Sequence, residues 1–503
     1  MQTQTSGKAA LHPRFAAIVG ASNTISAASE LRTYECDGLT GTRVTPALVV
    51  LPGTTEEVSQ CVRVASELGM PIVARGAGTG LSGGAVPSVG SLVIGLSRMK
   101  SILEVDLPNE RMRVQPGVVN LDVSRTLAPH GYYYAPDPSS QSVCSIGGNV
   151  AENSGGAHCL KYGFTVNHVV GATVVLADGA IVSVGGPLAD SLGYDLMALI
   201  VGSEGMLAVV TEVWLRIVRL PQKTRTIFAT FPSTDEAGAA VSAIIADGII
   251  PAAIEMMDQL AIKAIVAATG VDWPLEVGAA LLADMDGIAE EVDHTADAAI
   301  ASMKLAGALD VRTPRDAAER ALMWKGRKSA FAAVGRISPN YYVQDGVVPR
   351  KAIAAVLREI ASLAAAAGLR VANVFHAGDG NLHPLVLYDA RVPGEEERAE
   401  HVASEILRVC IRYGGSITGE HGVGLDKAPY MGELFNDSDL QTMNYVRCAF
   451  DPTRLLNPAR CFQHRAFAVI VRAHLYCPLL NAATWRGVAD ALYNSLAGAI
   501  HAD

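Results

Sequence analysis

The chain is short of charge: only 18% of its residues are Asp, Glu, Lys or Arg, acids outnumber bases to give a net charge of −10, and no Lys/Arg run is long. A nucleic-acid surface needs clustered positive charge, so nucleic acid is not an expected partner. The eight cysteines, at 36, 61, 144, 159, 410, 448, 461 and 477, contain no C-x-x-C pair. That spacing excludes an iron–sulfur cluster of the common ferredoxin type, and with no secretory signal at the N-terminus it points to a reducing, cytoplasmic setting. Long apolar runs are also missing; the nearest, 466–480, is broken by Arg472, His474 and Pro478, so a membrane span is not expected. What remains is a chain of 503 residues, half of them hydrophobic, long enough for two or three domains with a substantial core.

Residues 75–84 read Arg-Gly-Ala-Gly-Thr-Gly-Leu-Ser-Gly-Gly, five glycines in ten. Such backbone can take positive φ and converge its N–H groups on an anion such as a pyrophosphate. Gly78, Gly80 and Gly83 satisfy G-x-G-x-x-G, but that fingerprint requires a helix opening at the loop. Here 85–90 is followed by a strand-like 91–96, which disfavours a Rossmann site. Upstream lie a strand at 47–51, a helix announced by Thr54 and Glu57 and stopped by Gly69, and a strand at 71–74. This order sets the glycines at the carboxyl end of a strand, the usual ligand edge of an α/β layer. A solvated surface loop is the competing reading.

Strands are expected at 92–96, 102–106 and 111–114, then a helix at 121–129. The stretch 136–156 combines hydroxyl side chains, Asn149, Asn153 and two Gly-Gly pairs, suited to hydrogen-bonding a planar polar ligand, while Ile146 and Val150 interrupt it as a buried element would. Strands at 169–176 and 180–184 flank an Asp178-Gly179 turn, and 202–213 runs from a glycine turn into a buried strand. Pro221 marks a boundary. Beyond it, strands (226–231, 279–285, 341–346) and helices (234–246, within 255–268, 289–306, 315–331, 349–367) suggest a sheet with helices on one face, a cap over the first domain.

Two apolar strands within 371–387 enclose Gly378-Asp379-Gly380-Asn381, so His376 and His383 can face one point. Downstream, Glu420 and His421 sit between glycines in 415–424. Two imidazoles and a carboxylate form a divalent-metal set with a position left for a ligand. Any single His is more often a satisfied core group; paired across a hairpin beside Glu-His, a site is the better reading. Arg327, within 324–331, is a candidate cation for a substrate carboxylate, against the alternative of a solvated helix face flanked by Lys325 and Lys328.

These stretches, with 137–156, 202–213 and 451–457, stand in the order of a known family. From about Tyr34 to Phe462 the chain resembles the flavoproteins that include the D component of glycolate oxidase, the D-lactate dehydrogenases and D-2-hydroxyglutarate dehydrogenase, with an FAD-binding domain of the vanillyl-alcohol-oxidase type. Residues 34–38, 324–331 and 376–384 look most like the glycolate oxidase branch. The resemblance implies an α+β fold: an N-terminal segment (1–41), an FAD-binding domain in two parts (42–222), a cap carrying substrate and metal (223–423), a segment returning to the FAD domain (424–463) and an atypical tail (464–503). That tail is a docking helix, a membrane-surface contact or a segment with no role.

The same resemblance implies FAD held by Arg75, Gly76, Gly78, Thr79, Gly80, Leu81, Ser82 and Gly83 at its pyrophosphate. Pro138, Ser139, Ser140, Gly147, Gly148, Asn153, Gly155, Gly205, Val210 and Asn457 complete the cofactor set. His376, His383 and Glu420 become ligands of zinc, manganese or iron, His421 the catalytic base, and Arg327 the carboxylate-binding residue. Where the dicarboxylate branch has a Lys near Tyr342 or Val343 and an Asn at Leu385, both are absent here, which favours glycolate or D-lactate over 2-hydroxyglutarate. The implied reaction is hydride transfer from a small 2-hydroxy acid to flavin N5. Electrons would pass to an iron–sulfur subunit beside a second flavin subunit, in the cytoplasm or at the inner face of the membrane through those partners. A dehydrogenase acting alone on D-lactate or D-2-hydroxyglutarate, a non-catalytic flavin relay and a metal-dependent hydrolase are the alternatives.

Overall fold

The computed structural model describes residues 3–188, 193–458 and 460. Strands Leu48–Val50, Leu92–Gly95 and Ile72–Arg75 run parallel, in that spatial order, with Thr24–Ile25 antiparallel on the outer edge. Helix Thr55–Glu67 connects two of them, and Thr54 caps it by accepting from Glu57 N at 3.2 Å. The Glu57 carboxylate reaches past the cap to Gly53 N instead of closing a capping box. Val58, Cys61, Val62 and Ala65, at the helical spacing read from sequence, are fully buried against the sheet, each of the two valines contributing about 1.5–3 kcal/mol. A second, antiparallel sheet has the order Ile102–Asp106, Arg111–Val114, Val209–Arg216, Val169–Val175, Ile181–Gly185.

The third sheet, nine strands, lies beyond Pro221. Asp310–Arg312, Lys223–Phe231, Ala279–Gly287, Ala253–Asp258 and Arg370–His376 are neighbours in that order, and Pro384–Tyr388 pairs with Arg370–His376. Helices cover both faces, not one. Ile227, Leu281 and Phe375 pack on one side with helices Thr234–Ala246, Ala289–Leu305, Ile353–Ala366 and Glu395–Arg412. Phe228, Leu282 and Val374 pack on the other with Gln259–Thr269, Ala317–Lys328 and Ala330–Val334. The physical reason is in the strands: consecutive residues 279–285 are all buried, which requires cover on both sides.

Other elements differ locally from expectation. The helix expected within 255–268 is preceded by strand Ala253–Asp258, the strand expected at 341–346 divides into Asn340–Val343 and Gly346–Val347, and 136–156 contains helix Ile146–Glu152. Helices Glu395–Arg412 and Asp437–Phe450 had no counterpart among the elements expected from sequence. After the cap the chain returns: Ile72 N donates to Leu455 O and Asn457 N to Ile72 O, both at 2.7 Å, on the free edge of the parallel sheet. The tail expected at 464–503 lies outside the described residues.

Candidate active site

Arg75 ends its strand and turns its guanidinium onto the chain's lead-in, donating to Cys36 O at 2.8 Å over the Tyr34 ring. Asp37 accepts from Ala85 N at 3.1 Å, and Gly38 N donates to Gly80 O at 2.8 Å. Residues 34–38 thus clamp the glycine loop from outside. Gly78 sits at φ +70°, a conformation that L side chains rarely adopt. At Gly76 a Cβ would lie 2.2 Å from Ser145 Oγ, so only glycine lets the loop approach the opposing wall this closely.

That wall is helix Ile146–Glu152, capped by Ser145, whose Oγ accepts from Gly148 N at 3.3 Å. Ile146 and Val150 are fully buried beneath it. Between the walls is a cavity of about 380 Å³, and its lining includes both the glycines of 76–80 and, from the cap, Phe331, Glu420 and His421.

His376 closes strand Arg370–His376, and His383 follows the short strand Asn381–Leu382 that pairs back on it. Their rings stand 5.2 Å apart at 89°. Glu420 Oε1 lies 3.4 Å from His376 Nε2 and 3.1 Å from His383 Nε2, and one ligating atom from each of the three falls within 4.8 Å of the others. The outer nitrogens are engaged elsewhere: His376 Nδ1 with Glu255 Oε1 at 2.7 Å and His383 Nδ1 with Gln344 O at 3.4 Å. Both Nε2 lone pairs are therefore directed inward, as in carboxylate–histidine–metal arrangements. His383 Nε2 and Glu420 Oε2 are buried without a hydrogen-bond partner. Burial alone would lower the His376 pKa, but Glu255 and Glu420 hold it well above its usual value, so a cation binding at Nε2 would displace a proton held there by the two carboxylates. These donors fit a divalent cation.

His421 stacks on His383, centroids 5.0 Å apart and planes at 12°. Burial, as the largest influence, brings its pKa down to about 4, so it is neutral at neutral pH and able to accept a proton. The backbone around it hangs on one buried carboxylate, Asp345. This group accepts from Thr418 Oγ1 at 2.7 Å, Gly419 N at 3.1 Å, His421 N at 2.9 Å and Lys427 Nζ at 3.0 Å. Burial pushes Asp345 up, but Lys427 and the two histidines outweigh it and keep the acid ionised.

The family described as FAD binding domain matches residues 46–185, and that described as FAD linked oxidases, C-terminal domain, matches 220–461. Glycolate oxidase subunit GlcD of Escherichia coli (strain K12) is 50% identical over 431 residues, 86% of this chain and 86% of that protein. This chain belongs to the FAD-linked oxidases. Another member, a D-lactate dehydrogenase of Anaerostipes hadrus, is 33% identical over 83% of this chain and 90% of its own length. The fold is shared with 4-ethylphenol oxidase from Gulosibacter chungangensis, TM-score 0.75 at 18% identity, covering 92% of this chain and 98% of that one. The vanillyl-alcohol-oxidase-type architecture expected from sequence is the one found.

Within this FAD-linked oxidase, Arg75, Gly76, Gly78, Thr79, Gly80, Leu81, Pro138, Ser139, Ser140, Gly147, Gly148, Gly205 and Val210 line the cavity. Ser82, Gly83, Asn153, Gly155 and Asn457 do not. Ser82 O instead accepts from Leu425 N at 2.8 Å, and Gly83 packs on Leu39 and Leu425. Asn153 Oδ1 accepts from Val166 N at 2.9 Å, and Gly155 abuts Glu420, 2.7 Å from where a Cβ would stand. Asn457 Nδ2 donates to Gly84 O at 2.8 Å and Glu204 O at 2.6 Å, tying the returning chain to the loop. Arg327 is likewise outside the cavity wall: it is buried with Nη2 ion-paired to Glu255 Oε2 and with Nε lacking a hydrogen-bond acceptor.

Glu255, Asp345 and Lys427, each fully or almost fully buried, were not among the residues expected from sequence. A lone acid inside an apolar strand, Ile254-Glu255-Met256-Met257, was the available signal, because a buried charge must have a partner. Two further acids were missed. Asp137 holds His158 of its own part at 3.0 Å and reaches Lys328 of the cap at 3.2 Å, and the Glu204 carboxylate accepts from Val423 N and Gly424 N at 2.7 and 2.9 Å.

Proposed function

We propose that this chain oxidises a small D-2-hydroxy monocarboxylate, glycolate or D-lactate, to the 2-oxo acid. The observation that carries the reading is one cavity whose wall includes both the glycine cradle and the Glu420–His421 pair. FAD, when bound, supplies a two-electron acceptor for the hydride leaving the substrate's hydroxyl-bearing carbon. A divalent cation held by His376, His383 and Glu420 supplies Lewis-acid polarisation of the hydroxyl. Arg327, ion-paired to Glu255 through Nη2 and with its Nε left without an acceptor, holds the substrate carboxylate. His421 Nε2, 3.6 Å from Glu420 Oε1, takes the hydroxyl proton. Substrate size follows from the cap: Leu385 is fully buried opposite Val343, and Tyr342 spends its hydroxyl on Asp426, so neither position offers a second carboxylate a partner. The relatives named glycolate oxidase and D-lactate dehydrogenase support the same substrate class.

Electrons then pass to separate carriers, an iron–sulfur subunit and a second flavin subunit; the word subunit in the name of the 50% identical relative supports the existence of partner subunits and goes no further. No helix among the described residues is long and apolar enough to cross a membrane, so attachment to the inner face of the membrane would run through those partners. Anaerobic titration of the flavin with glycolate, D-lactate and D-2-hydroxyglutarate tests the reading. Bleaching of the visible flavin band by either monocarboxylate is expected; no bleaching, or bleaching by the dicarboxylate alone, refutes it.

A further inference from the structure

Glu255 lies in the middle of strand Ala253–Asp258, fully buried on the face it shares with Ala253 and Met257. An ionised carboxylate in apolar surroundings persists only with partners. Each of its oxygens has one. Oε1 receives the Nδ1 proton of His376 at 2.7 Å, and Oε2 lies against Nη2 of Arg327. The first contact is set by strand register, since Glu255 is the cross-strand partner of His376 and their side chains rise from the same face. The second comes from helix Ala317–Lys328, which packs on that face of the sheet through Met323 and Trp324.

One rigid acid therefore touches both a metal-ligand histidine and the arginine assigned to the substrate carboxylate. Because an ionised carboxylate can only accept, His376 must carry its proton on Nδ1, which leaves Nε2 as the ligand atom. The same acid fixes where the guanidinium stands relative to that atom. A 2-hydroxy acid presents its hydroxyl and carboxylate on adjacent carbons, so its two anchors need a fixed short spacing.

We propose that Glu255 is a positioning residue that sets the spacing between the cation at His376, His383 and Glu420 and the guanidinium of Arg327, matching the pair to a 2-hydroxy acid. This rests on the metal and carboxylate assignments made above. The test is titration of the FAD-loaded, metal-stripped protein with Mn(II), following free Mn(II) by electron paramagnetic resonance, alongside steady-state kinetics with glycolate or D-lactate at saturating Mn(II). Glu255→Ala should weaken Mn(II) binding by about 10–100-fold while the flavin spectrum is retained. Glu255→Gln keeps an acceptor for His376 Nδ1–H and should hold Mn(II) within a few-fold of wild type, yet raise KM about tenfold or more because Arg327 loses its anchor. A purely structural role would move both readouts together in both variants. Wild-type Mn(II) affinity in Glu255→Ala, or an unchanged KM in both variants, overturns the inference alone. Failure of the wild-type protein to take up Mn(II) overturns the metal assignment and this inference with it.

Discussion

Replacing Asp345 by Asn is the sharpest test of how the site is held. The carboxylate is fully buried and takes hydrogen bonds from Thr418, Gly419, His421 and Lys427. Asparagine keeps the size but turns one acceptor into a donor facing those N–H groups, and leaves the Lys427 ammonium, 1% exposed, without its counter-charge. Breaking a buried pair by removing one partner costs about 3–5 kcal/mol, out of about 5–15 kcal/mol for a folded domain. Loss of several degrees in Tm is expected, together with a fall in kcat, since Glu420 and His421 hang from the same carboxylate. A thermal melt followed by flavin fluorescence, with kcat measured well below the transition, reads both. The double variant Asp345→Asn/Lys427→Met should recover part of the stability, because it removes the stranded charge, but not kcat, because a neutral amide oxygen holds the backbone N–H groups of 419–421 more weakly than a carboxylate. Wild-type stability and turnover in the single variant would refute the reasoning; a double variant no more stable than the single one would show that the stranded ammonium is not the cost.

Gly424→Ala should cost about 2 kcal/mol or more and weaken FAD retention: Gly424 has φ +57° and a Cβ there would stand 1.9 Å from Ser82 O. Melting temperature and flavin content of the purified variant check this. With the proposed cation at His376, His383 and Glu420, treatment with a chelator should abolish turnover while leaving the flavin spectrum intact, with Mn(II) or Zn(II) restoring it; full turnover at negligible metal content would contradict the proposal. Burial alone would lower His158, but Asp137 raises its pKa above the usual 6.5. The folded state thus binds this proton more tightly than the unfolded state, so the pair's contribution is complete below about pH 6.5 and fades as pH climbs through the raised value. Wild type should therefore lose an advantage of roughly 1 kcal/mol over His158→Gln between mildly acid and alkaline pH in paired melts; a pH-independent difference would refute it.

Periodic and glycine-dense features were legible because they are local. The helix at 55–67, the strand into the cradle and the hairpin joining His376 to His383 each have their cause within a dozen residues. Asp345 and Glu255 were not legible, since their hydrogen-bond partners lie 73 or more residues away and a lone acid carries no spacing signal. Arg327, expected as the cation for a substrate carboxylate, lies off the cavity wall, because its guanidinium turns to the acid on strand Ala253–Asp258. Helix Glu395–Arg412 was legible in principle, with Ala399, Val402, Ala403, Ile406 and Cys410 buried at helical spacing, yet it carries no chemistry-bearing motif to draw the eye between the two histidine stretches.

The pairing of Ile72 with Leu455 and Asn457 also bears on the order of synthesis. Residues 46–185 leave the ribosome long before 455, so the nascent cofactor layer has one strand edge whose amide and carbonyl must be satisfied by water until the far end of the polypeptide arrives. Asn457 and Arg460 then fasten the carbonyls of Gly84 and Val86. A chain cut short after the cap would expose that edge and lack those fasteners, so retention of the yellow cofactor reports whether translation ran through to this closing segment.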